Sequence, residues 1–223
     1  MRKEHGSIII YLLAAIALIG ALTASIMFGN TYDNTDREQV RLNLDIVRSY
    51  GSDLTHAITR VKSRSGCRED QISFAHPSYV WYNNVNAPAD KSCHIFDPNG
   101  GGVDFKVPPS YLFPDNDPAS FWRAGYSYNA GVAIPDIGTN SAELLLTLEV
   151  DNARQCEIIN DLTNDSEAIP VSTGYCFQDF RGDYDNPSCG GVQTWTAVTG
   201  RSEGCIRHHG ATSYFYYRVL TRR

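Results

Sequence analysis

The chain opens on an uninterrupted apolar stretch and then changes pattern twice. From Ile8 to Phe28 no side chain is charged. At about 1.5 Å of rise per helical residue that run would extend roughly 30 Å, the thickness of a bilayer's hydrocarbon core. No second stretch of this kind follows. Gly29-Asn30-Thr31-Tyr32-Asp33-Asn34 then collects residues that favour turns, which predicts a break in the helix. Thr35-Asp36-Arg37-Glu38 has the T-x-x-E form of a capping box, which would open a second helix. In that second segment Val40, Leu44, Val47, Gly51, Leu54, Ile58 and Val61 recur at alternating spacings of four and three, forming one stripe. Arg41, Asp45, Arg48 and Arg60 lie off the stripe, so the helix is amphipathic and needs a surface to pack on.

From Cys67 onward short strands and loops are predicted. Cys93–Phe96 and Val103–Val107 flank Asp97-Pro98-Asn99-Gly100-Gly101-Gly102, the pattern of a hairpin with a glycine-rich turn. Leu144–Val150 is an apolar strand, and Asp151 or Asn152 caps a short helix carrying Cys156, Ile159 and Leu162. In the last strand, Tyr214–Leu220, Phe215, Tyr217 and Val219 alternate with Tyr214, Tyr216 and Leu220, so both faces should be covered. The predicted fold class is α+β: a long N-terminal helix, transmembrane in its first half and amphipathic in its second, packed on an antiparallel sheet.

Six cysteines, Cys67, Cys93, Cys156, Cys176, Cys189 and Cys205, all follow the apolar run. Their even number and the absence of CxxC spacing favour structural disulfides in an oxidising compartment. Sequential pairing is expected, Cys67 with Cys93, Cys156 with Cys176 and Cys189 with Cys205, because each pair encloses a short segment. Arg2 and Lys3 favour keeping the N-terminus in the cytoplasm, which places the rest of the chain in the periplasm on a single-pass inner-membrane anchor. A net charge of −6 over 223 residues argues against a nucleic-acid partner.

The order of residues at the N-terminus adds a family signal. Gly6 closes a short basic leader immediately before Ser7-Ile8-Ile9-Ile10-Tyr11-Leu12-Leu13-Ala14-Ala15-Ile16-Ala17-Leu18-Ile19-Gly20. This segment resembles the N-terminus of type IV prepilins and type II secretion pseudopilins. The resemblance implies cleavage between Gly6 and Ser7 by a prepilin peptidase, and it places Gly20 at a glycine position common in that family. It covers about the first thirty residues and departs from the pattern at Ser7, where an apolar residue is usual, and at Tyr11, where the family usually carries glutamate. The missing carboxylate points to a minor or tip subunit. The implied partners are other pilin-like subunits, met through the N-terminal helix, either in the inner membrane or in a periplasmic or extracellular filament. The domain plan is a leader over 1–6, a transmembrane helix over 7–29, an amphipathic helix region over 30–66 and a pilin-like globular domain over 67–223.

No motif for catalysis stands out: HExxH, GxSxG, a P-loop and GxGxxG are all absent, and the histidines sit in unrelated contexts. His208 and His209, next to Gly210, fit a surface turn better than a metal site. Asp97–Pro108 starts like an EF-hand loop but has Gly101 at the fifth position and Pro108 at the twelfth, where glutamate is needed. Asp183, Asp185 and Asn186 offer oxygen ligands to calcium from one loop, which also contains Arg181-Gly182-Asp183. The expectation is a structural subunit of a type IV pilus or type II secretion pseudopilus and not an enzyme. The alternative is a signal-anchored periplasmic binding or adhesion domain with no filament role.

Overall fold

Helix α1 runs without interruption over Gly6–Arg64. The computed structural model describes residues 6–77, 82–112, 127–172, 178–185, 190–210 and 212–223, without the side chains of 6–9, 24–34 and 178. The break expected at 29–34 does not occur, and Thr35–Glu38 lies inside the helix, where no orphan amides await a capping box. Extending an existing helix through a poor former costs less than about 1 kcal/mol per residue, whereas a second helix would need its own unfavourable nucleus.

The chain divides into two compact units, Met1–Gln39 and Val40–Arg223. Among the described residues no helix is long and apolar enough to cross a membrane. This overturns both the expected transmembrane half of α1 and the single-pass inner-membrane placement.

The second unit is α+β. Its strands are β1 (Ser127–Ala133), β2 (Glu143–Val150), β3 (Gln178–Asp179), β4 (Gln193–Thr194), β5 (Glu203–Arg207) and β6 (Tyr214–Thr221), with α2 (Ala153–Asn164) after β2. The sheet order is β3-β1-β2-β6-β5, with β4 also on β1. All pairings are antiparallel except β1 with β4, where Val132 and Ala133 face Gln193 and Thr194 in parallel. The expected antiparallel sheet is therefore mixed at that edge.

The stripe on α1 finds its surface on this sheet. Val40, Leu44, Val47, Leu54, Ile58 and Val61 are each no more than 2% exposed, in one core with Leu144, Leu146, Leu148, Tyr216 and Leu220. Gly51 makes room for Arg218, whose Cδ would lie 2.9 Å from a Cβ added there. A second, smaller core on the opposite face joins Leu145 and Tyr217 to Trp195, Val198 and Ile206, with half-buried Phe215 and Val219 packed on it. The alternation along β6 thus serves two cores.

Among the described residues between α1 and β1 the chain is held by turns. Cys67 bonds Cys93, and Ser73 pairs with His94 in an isolated parallel bridge. Ile95 N–H donates to Ser73 O at 2.9 Å and Val103 N–H to Ile95 O at 3.1 Å, while Gly101 N–H returns to His94 O at 2.8 Å. The segment predicted as a hairpin is accordingly a stack of turns pinned to Ser73. A Cβ at Gly100 or Gly101 would collide with the carbonyl oxygens of His94 and Ile95, so the glycines serve close backbone approach.

The other described bridge joins Cys156 on α2 to Cys205 on β5. It corrects the expected Cys156–Cys176 and Cys189–Cys205 pairs; Cys176 and Cys189 lie outside the described residues. Helix α2 packs against β5, so the partner of Cys156 is set by contact across 49 residues and not by nearness along the chain.

Candidate functional site

The N-terminal part of α1 carries the most conspicuous surface. Ile10, Leu12, Leu13, Ile16, Leu18 and Leu22 are each between 59% and 67% exposed, and Tyr11 is 73% exposed. These positions surround the helix, leaving no polar side. Thr23 turns its hydroxyl back to Ile19 O at 2.9 Å and Gly20 O at 3.0 Å, so it adds little outward polarity. A helix apolar all round requires a cover. A Cβ added to Gly20 would meet nothing within 4 Å, so packing within the chain gives no reason for glycine there. Gly6 and Ser7, the expected processing site, form the start of α1.

In the second unit a charged clamp fixes α1 to the sheet. Glu203 accepts from Arg48 Nε at 2.6 Å and from Tyr216 Oη at 3.0 Å, and pairs with Arg218 at 3.7 Å. Arg218 also donates to Ser52 Oγ at 3.1 Å. Burial, reinforced by Glu203, pushes the Tyr216 phenol well above its ordinary pKa, so it stays a neutral donor.

A second polar cluster gathers where β6 ends. Glu143 is fully buried; its Oε2 accepts Arg223 N–H at 2.9 Å while Oε1 has no partner. Burial lifts its carboxyl to about 7 against the opposing pull of the Arg223 amide. The Arg223 guanidinium bonds Glu69 at 2.8 Å and lies 3.9 Å over the ring of Tyr184, whose buried hydroxyl also lacks a partner. Sequence reasoning missed this cluster. Its one visible signal was a lone carboxylate heading an apolar strand.

The residues singled out for calcium are not assembled into a site. Asp183 Oδ1 accepts Asp185 N–H at 2.8 Å, a local turn, and both side chains are exposed; Asn186 lies outside the described residues. Among the described residues no group of three or more His, Cys, Asp or Glu is placed to hold a metal ion. Gly182 has φ of +91°, and a Cβ there would collide with Asp70 O and the Asn84 amide, so packing explains this glycine in the Arg181-Gly182-Asp183 tripeptide. His208 packs on Phe215 with ring centres 5.8 Å apart, and His209 N–H donates to Ser172 Oγ at 3.0 Å.

Compared with protein-family models, curated proteins and solved structures, the chain matches none.

Proposed function

We propose that this protein is a structural subunit of a type IV pilus or type II secretion pseudopilus, in a minor or tip position, and that it has no enzymatic role. The carrying observation is the exposed, all-round apolar helix from Ile10 to Leu22, which other pilin-like subunits would cover with their own helices. The prepilin-like order from Gly6 to Gly20 supports the reading. So does Gly20, which costs about 1 kcal/mol relative to alanine in a helix and gains nothing from contacts within the chain. Tyr11 in place of the family's glutamate favours a position that pairs no neighbouring amine. The two disulfides suit an oxidising compartment.

The test combines processing with contact. Expressed in its host, the protein should begin at Ser7 by intact mass, and a photo-crosslinking residue at Leu18 should capture other pilin-like subunits. A mature start near Ser25, or capture of no such subunit at normal protein levels, overturns the proposal and leaves a binding or adhesion domain.

A further inference from the structure

A groove of about 720 Å³ runs between α1 and the end of β6. It exists because β5 is shorter than its neighbour. The β5–β6 register starts at Glu203 opposite Arg218, and Val219 N–H makes one further link to Ser202 O at 2.8 Å. Strand β6 continues to Thr221 with β2 on one side and no strand on the other in the sheet order. Thr55, Thr59 and Ser63 of α1 form the facing wall, and buried Ile58 and Leu220 also line the groove.

The charge of this groove runs against the chain's own. In a protein of net charge −6, the groove is lined by Lys62, Arg218 and Arg222 and by one acid, Glu203. That acid is engaged by Arg48 and Tyr216 and also pairs with Arg218 of the same groove at 3.7 Å. Lys62 pairs with Glu69 at 2.7 Å, whereas Arg222 makes no ion pair among the described residues. Thr221, whose buried hydroxyl lacks a hydrogen-bond partner, lines the same trough. An apolar base with exposed Arg222 at its rim, beside the flank of a strand, suits an extended chain that brings carboxylates.

We propose that the groove receives an acidic, extended peptide segment of a partner protein. The assignment stands independently of the filament reading. Fluorescence anisotropy on the full chain, with fluorescein-labelled octaglutamate as the probe, tests it. Saturable binding should weaken as salt is raised, because Arg222 and its neighbours act across solvent. Arg222→Glu should lower affinity about tenfold, whereas Arg222→Lys should retain most of it and keep the wild-type thermal midpoint. Thr59→Trp, a surface change that fills the trough, should also abolish binding. No binding of octaglutamate, or equal binding by the wild type and Arg222→Glu, overturns the proposal. Tighter binding of a single-stranded oligonucleotide would reassign the groove to nucleic acid. Self-association of the wild type that Arg222→Glu abolishes would reassign it to a second copy.

Discussion

Glu143 is a buried carboxylate with only one of its oxygens bonded, so its ionised form is costly to hold. Its folded-state pKa of about 7 lies above the ordinary 4.5, so the folded protein holds this proton more tightly than the unfolded chain. The resulting stabilisation is complete below about pH 4.5 and is lost as pH rises through 7. Glu143→Gln keeps an acceptor for Arg223 N–H and removes the ionisation. The variant should therefore match the wild type near pH 4 and exceed it by about 3 kcal/mol at pH 8 in urea unfolding. A stability difference unchanged between the two pH values would show that Glu143 does not titrate in this range. The neighbouring charges Arg222, Arg223 and Glu69 act on the carboxylate in the wild type alone, and their sum is already contained in its raised pKa.

At the scale of elements, β5 illustrates how this sheet ends. An open edge invites pairing with other chains, and here side chains and loop backbone close it. Asn160 of α2 accepts Cys205 N–H at 2.8 Å and donates to Cys205 O at 2.8 Å, completing one rung of a ladder with a side chain. Asn164 donates to Glu203 O at 3.1 Å, while Arg207 exchanges bonds with Pro170 O and Ser172 N–H. Asn160→Ala would strand both polar groups of a buried residue, and should cost about 2 to 4 kcal/mol and speed amide exchange at Cys205. A loss below about 1 kcal/mol would mean that the edge is held by its other contacts. The elements most legible in the sequence were those with a clean period: the stripe from Val40 to Val61, the run in β2, the capped α2 and the alternation in β6. Strands β1 and β5 gave no comparable signal, since Asn129, Gly131 and Gly204 interrupt them and their burial comes from neighbours far along the chain.

For the whole molecule, the two described disulfides close loops of different reach. Cys67–Cys93 spans 26 residues and Cys156–Cys205 spans 49, which the chain-entropy model converts to about 3.5 and about 4 kcal/mol. Both sulfurs of the second bridge are fully buried between α2 and β5, so its removal also disturbs packing. The Cys156→Ala, Cys205→Ala double variant should thus lose more stability than the Cys67→Ala, Cys93→Ala variant in denaturant unfolding without reductant. A difference of only about 0.5 kcal/mol would assign the effect to loop closure alone. The sequence by itself determined the α+β class, the burial stripe of α1, the strand and helix around Asn152 and the short-range bridge, because each depends on periodicity or local reach. It also exposed the apolar run at the start of α1. Only the tertiary structure decided that α1 continues through 29–34, that Cys156 meets Cys205, and that Glu143, Arg223 and Tyr184 converge, because helix propagation and long-range packing outweigh local preference.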